Sequence, residues 1–240
     1  MMEFGHFSDK KLPSIFGVPA DDGATYTVNS SGYRCPEWEP MPDGKKNAVI
    51  LGCSHVFGQG LNDDEHWAHM ISQHNTDRIR YWNLGSPGAS CDKVVRILYG
   101  CEKIIDPRII IVCWPERSRR EKLLSYSTDN LHGRDEEMRF ETDETDQQNF
   151  LKNVFLVEKY AEKMNCKTFH CFSADSYHEG MNVEHVLEEQ TLTNCWPWWD
   201  TYRQRELHSD SKARDGKHHG VEHHQRFSEL FLESFGVRLR

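Results

Sequence analysis

No stretch of this chain approaches the roughly 18 consecutive apolar residues that a membrane-crossing helix needs. The opening "MMEFGHFSDKKLPSIFG" likewise lacks the basic segment followed by a long apolar one that marks an export signal. Both absences lead to the expectation of a cytoplasmic protein with no membrane span. Basic runs are missing too: 29 Lys and Arg stand against 38 Asp and Glu, for a formal charge of −9. Neutralising phosphates takes a basic face, so nucleic acid is not an expected partner, and neither are acidic glycans. The eight cysteines include no CxxC pair and several lie in apolar runs, which argues for reduced core thiols and against a disulfide framework or a cysteine zinc site. There is no internal repeat and no HExxH sequence.

What is present is a regular alternation of strand and helix patterns. A chain of 240 residues with 37% hydrophobic and 11% aromatic residues fits one globular domain of the larger kind. "NAVILG" (47–52) reads as a strand, and "DEHWAHMISQH" (64–74) as a helix with Trp67, Met70 and Ile71 on one face. "RIRYWNL" (78–84) is the next strand, followed by a helix capped by Ser90 and carrying Val94, Val95, Ile97, Leu98 and Ile104. "RIIIVCW" (108–114) is apolar throughout, as a strand buried on both faces should be. "HGRDEEMRFETDETDQQ" (132–148) reads as a solvated loop leading into a helix over about 146–164 with Phe150, Val154, Val157, Ala161 and Met164 at helical spacing. "KTFHCF" (167–172) is a fourth strand, and "GVEHHQRFSELFLESF" (220–235) a closing helix with Phe227, Leu230 and Phe231 inward. This order implies a parallel sheet covered by helices on both sides, with sites beyond the carboxyl ends of the strands. Residues 1–46 are expected to be a lead-in packed on a domain of 47–240.

Three stretches carry candidate chemistry. In "VILGCSHVFGQGL" (49–61), Ser54 follows the first strand between Gly52 and Gly58, placed to act, to cap the next helix or to line a phosphate site. In "RDGKHHGVEHH" (214–224), Asp215 and His218 are three apart, a spacing that brings a carboxylate within reach of an imidazole. A serine hydroxyl becomes a nucleophile when a base takes its proton, and a carboxylate fixes that base's tautomer. His219 and His223, one helical turn apart, have the spacing of zinc ligands, yet equally suit a solvated helix start; no metal or other cofactor is expected. "CWPWWDTY" (195–202) supplies Trp198 and Trp199 either as an aromatic wall for a sugar ring or acyl chain, or as core beneath a long loop.

Taken in order, these blocks resemble the SGNH (GDSL-type) hydrolases. "GCSHVFGQG" stands where the family has Gly-Asp-Ser, "NLGSPGAS" (83–90) is similar to its second block, and "DGKH" matches its closing Asp-x-x-His. "TVNSSGYRCPEWE" (27–39) resembles a lead-in of bacterial and phage members. The resemblance implies a three-layer α/β/α fold with a mainly parallel, flavodoxin-like sheet. It assigns Ser54 as nucleophile, His218 as base, Asp215 as the orienting carboxylate and the Gly88 backbone N–H as an oxyanion donor. The implied activity is hydrolysis of a carboxylic ester, such as an O-acetylated carbohydrate or a short acyl ester, without a cofactor; a phage origin would be compatible with a virion location.

Two positions depart from the pattern. Cys53 replaces the Asp before the nucleophile and is read as structural. The third block, Gly-x-Asn-Asp after the central strand, is replaced by "WPERSRR" (114–120), which removes one side-chain donor from the oxyanion hole. Arg117 is the candidate to replace that donor, or else an ion-pair residue. The same departure supports the alternative of a catalytically weakened binding or assembly module on this fold.

Overall fold

A computed structural model describes residues 22–38, 44–124, 127–131, 142–172, 210–236 and 238–239. The apolar run at its centre forms β1 (Lys46–Gly52), in which Ala48, Val49, Ile50 and Leu51 have no exposed surface. A strand this apolar needs cover on both faces, and it pairs in parallel with β2 (Ile79–Asn83) on one side and β3 (Pro107–Trp114) on the other. β6 (Lys167–Phe172) pairs in parallel with β3, so the sheet order is β2-β1-β3-β6.

Alternating side chains feed two cores. Val49, Leu51, Trp82, Ile110 and Val112 face α3 (Cys91–Ile105) and α4 (Asp143–Met164). Ala48, Ile50, Tyr81, Ile109, Ile111 and Phe169 face α2 (Trp67–Ser72) and α5 (Val221–Phe235). The result is the expected α/β/α sandwich with a parallel sheet. A short α1 (Ser54–Phe57) follows β1 directly.

Several boundaries differ from the sequence reading. α2 occupies only 67–72 of the expected 64–74, because the His66 side chain caps it by accepting from His69 N–H at 3.2 Å. Met70 is only half-buried, while Trp67 and Ile71 are fully enclosed. On α3, Ser90 caps as expected, its Oγ accepting from Lys93 N–H at 3.2 Å. Ile104 is half-exposed, and Ile105, in helical register with Val94, Leu98 and Cys101, takes its place in the core. α4 starts at Asp143, inside the expected loop, because Thr142 and Thr145 cap each other's backbone N–H groups. Acidic residues also suit a helix start, where the helix dipole favours negative charge.

An antiparallel hairpin of β4 (Arg120–Leu124) and β5 (Ser127–Leu131) was absent from the sequence reading. Cysteines 35, 53, 91, 101, 113, 166 and 171 form no disulfide, while Cys195 and the 132–141 part of the expected loop lie outside the described residues. No helix among the described residues is long and apolar enough to cross a membrane.

α1 is held down by aromatic packing from α2 and α5. The His55 ring lies 4.7 Å from that of His224, 4.8 Å from Phe227 and 5.9 Å from Trp67. His224 Nδ1 accepts from Trp67 N–H at 3.2 Å, and His55 Nε2 is buried with no hydrogen-bond partner among the described residues. Burial, reinforced by neighbouring histidines, holds His55 and His224 well below the ordinary imidazole range, and burial does the same to His66. These rings are neutral when folded, whereas in the unfolded chain they gain protons as pH falls below about 6.5. Each therefore contributes stability that is present above that pH and is lost on acidification, with a slope of up to about 1.4 kcal/mol per pH unit. Substituting His55→Phe keeps the ring packing and removes one such proton, so melting temperature should fall less steeply than wild type between about pH 7 and about pH 5. Parallel pH profiles for the two proteins would show that His55 carries no such linkage.

Candidate active site

Ser54 opens α1 because the chain turns sharply at the carboxyl end of β1. A Cβ on Gly52 would lie 2.4 Å from Val56 Cγ2 and 2.5 Å from the Cys113 carbonyl oxygen, so no other residue fits there. Gly58, left-handed at φ 78°, ends the helix, and its N–H donates to Ser54 O at 2.8 Å. Cys53 is buried at the head of the turn, which agrees with its structural reading. The loop after β2 is stitched to the same turn: Ser86 N–H donates to Gly52 O at 3.0 Å and Asn83 Nδ2 to Val56 O at 3.0 Å.

The second half of the site is the turn before α5. Asp215 Oδ1 accepts from Lys217 N–H at 2.9 Å and His218 N–H at 3.0 Å, which aims Oδ2 at His218 Nδ1, 2.5 Å away. His218 Nε2 then lies 3.0 Å from Ser54 Oγ. Burial alone would raise the Asp215 pKa, but the two backbone N–H groups and His218 outweigh it and hold the carboxyl below its usual range. Asp215 is only 1% exposed against 31% for His218, so the imidazole's outer edge is open to solvent while the carboxylate is not.

These two halves, 164 residues apart in sequence, are tied by the segment 58–65. Arg214 N–H donates to Gly60 O at 3.1 Å, and its guanidinium grips Glu65 through both terminal nitrogens, one contact being 2.8 Å. A Cβ on Gly60 would fall 3.1 Å from the Asp215 carboxyl, so the two loops touch at Asp215 itself. On the opposite side, Arg34 donates to the carbonyls of Phe57, Gly58 and Leu61 at 3.0, 2.9 and 3.2 Å and pairs with Asp63 at 2.6 Å. The sequence showed Arg34 only as part of a lead-in motif, and gave no sign of the Arg214–Glu65 pair, whose members are 149 residues apart.

The remaining candidates are placed less directly. Gly88 lies half-buried with φ 70° in the loop 85–90, next to the start of α3. Arg117 is buried in the turn after β3, where its carbonyl oxygen accepts from Arg120 Nη1 at 2.8 Å. Trp198 and Trp199 lie outside the described residues. The His219 and His223 rings stack 3.8 Å apart, and among the described residues no three His, Cys, Asp or Glu side chains are placed to hold one metal ion.

No family model and no curated protein sequence matches this chain. Solved structures do. A psychrotrophic esterase, EstA from Pseudoalteromonas sp., inhibited by monoethylphosphonate, aligns over 81% of this chain and 99% of its own at TM-score 0.53 and 12% identity. A putative GDSL-like lipase from Parabacteroides merdae aligns over 82% and 100% at TM-score 0.50 and 14% identity. A carbohydrate esterase, described as displaying divergent catalytic and non-catalytic binding functions, aligns over 84% and 67% at TM-score 0.53 and 13% identity. Identities this low speak to architecture alone, and on that ground the chain has the α/β/α fold of the SGNH (GDSL-type) hydrolases.

Proposed function

We propose that the protein is a serine esterase that cleaves a carboxylic ester through an acyl-enzyme on Ser54. The observation that carries this reading is the chain of contacts Asp215 Oδ2, His218 Nδ1, His218 Nε2, Ser54 Oγ, at 2.5 Å and 3.0 Å for its two hydrogen bonds. An ionised Asp215 accepts the Nδ1 proton, which leaves Nε2 with a lone pair aimed at the serine hydroxyl. Ser54 Oγ attacks the ester carbonyl as its proton passes to Nε2, and the imidazolium returns that proton to the leaving alcohol. Water then repeats the sequence in reverse roles and releases the acid.

The charge that develops on the carbonyl oxygen needs donors. In this reading the backbone N–H groups of Ser54 and Gly88 supply two, and Arg117 is the candidate for the third in place of the missing Asn. Losing such a donor costs about 10²- to 10³-fold in rate, so turnover slower than that of a complete site is expected. The substrate is a small ester, with an O-acetyl group on a carbohydrate as one candidate. The likeness to the Pseudoalteromonas esterase and to the carbohydrate esterase supports ester chemistry on this fold. The replaced block after β3 favours one second reading, a binding or assembly module that keeps the fold. A fluorophosphonate probe separates the two: one equivalent bound at Ser54 is expected of the esterase and none of the module.

Ser54→Ala should abolish both probe labelling and hydrolysis of a short p-nitrophenyl ester while leaving the melting temperature almost unchanged, since a turn hydroxyl adds little to the core. An active Ser54→Ala protein would overturn the assignment. Asp215→Asn should lower kcat by about 10²- to 10⁴-fold with little change in KM, because an amide fills the same volume but does not stabilise the imidazolium. Arg214→Met tests the tether between the two loops. It should reduce kcat several-fold more than it alters KM, and a variant with wild-type kcat would show that the 213–218 turn holds its place without Glu65.

A further inference from the structure

The loop that replaces the third block begins beside the nucleophile turn. Cys113 pairs with Gly52 across β3 and β1, and Pro115 lies only two residues further on. Cys91 Sγ, at the start of α3, lies 3.8 Å from Pro115 O, and Glu121 N–H donates to Asp92 Oδ2 at 3.4 Å. Residues 115–121 therefore run from the Ser54 turn to the first turn of α3, at the foot of the loop that carries Gly88. The far end is anchored by ion pairs, Arg96 to Glu121 at 2.6 Å and Arg120 to Asp146 at 2.5 Å.

Arg119 stands apart within this anchored loop. Its Nε and Nη1 are both buried and have no hydrogen-bond partner among the described residues. Glu116 Oε2, 3.7 Å from Nε, forms a loose ion pair with it but is too far to accept a hydrogen bond. A guanidinium is donor-only, and donors removed from water without an acceptor forfeit the hydration they had. The side chain is 22% exposed, so part of it outside those two buried nitrogens faces solvent. The acceptor best matched to a guanidinium is an anionic oxygen group. The overall charge of −9 does not oppose this, because it disfavours extended polyanions, whereas one local cation needs only one anionic group.

We propose that Arg119 is an anion subsite of the Ser54 site and that the ester hydrolysed there bears a carboxylate on its acyl part. This rests on the serine esterase reading above and adds a substrate class to it. Arg119 touches the substrate's remote end in this account, away from the reacting carbonyl, so it sets specificity and leaves the chemistry of a neutral ester alone.

The test is a comparison of p-nitrophenyl hemiadipate and hemisuberate with their neutral methyl esters, using wild type, Arg119→Gln, Arg119→Lys and Ser54→Ala. Wild type should favour an acid over its methyl ester by about 10- to 100-fold in kcat/KM, with the preference weakening as salt is raised. Arg119→Gln should erase that preference while retaining wild-type rates on the neutral esters, and Arg119→Lys should restore part of it. Retained neutral-ester activity also shows that the variant is folded. An equal acid-to-neutral ratio in wild type and Arg119→Gln overturns the subsite, as does a loss that falls equally on acid and neutral esters, which would make Arg119 an oxyanion donor or a structural residue. Turnover of neither ester, together with no fluorophosphonate labelling of Ser54, brings down the esterase reading and the subsite with it; labelling at Ser54 confines the failure to the subsite.

Discussion

The Arg34 guanidinium is the constraint on which the candidate site depends. Its side chain is 1% exposed, and it collects three backbone carbonyls from the last residue of α1 and the segment after it while pairing with Asp63. Burial pulls its pKa down, and Asp63 pushes it back up. Without the guanidinium those carbonyls would be left without these donors, each at a cost of about 1–3 kcal/mol. With the segment fixed, Gly60 and Glu65 face the second loop, Arg214 closes on them, and Asp215 arrives against Gly60. The alignment of His218 with Ser54 is thus the last link of a chain of polar contacts that starts outside the sheet.

The apolar side of the molecule holds the same turn from beneath. α1 has four residues and too few hydrogen bonds to persist alone. It is kept in place by the His55 ring packed among Trp67, His224 and Phe227, and by Val56 against Gly52. Using imidazoles where phenyl rings would fit makes this support depend on neutral histidines, so the base of the Ser54 turn is sensitive to acid in a way that a purely aliphatic core would not be.

The loop after β3 is where the chain departs from the family pattern it resembles. Where the resembled family carries an Asn donor, this chain has three arginines, 117, 119 and 120, with Ser118 among them, and two residues at the end of the loop form ion pairs with α3 and α4. On the proposed esterase reading, cationic side chains in place of a neutral amide act on which acyl groups are favoured, while the contacts that align His218 with Ser54 come from residues 58–65 and 213–218.

The amino-acid sequence by itself determined the layers and their order. The apolar run at 47–52 read as a strand and the continuously apolar 108–114 as one covered on both faces, and helical spacing at 94–104 and 227–231 supplied the cover, since burial of apolar surface is local enough to be read as a pattern. It also placed Ser54, Asp215 and His218 as candidates, because tight turns demand glycines and an Asp-x-x-His turn brings its ends together within four residues. Only the tertiary structure decided that His218, and neither His219 nor His223, meets Ser54: all three sit in one histidine-rich segment, and which ring faces Ser54 depends on how α5 docks against α1. The same holds for Arg34, for the Glu65–Arg214 pair and for the unpartnered donors of Arg119. Their roles come from carbonyls, carboxylates and loops far away in the chain, and long-range polar contacts leave no periodic trace in a sequence.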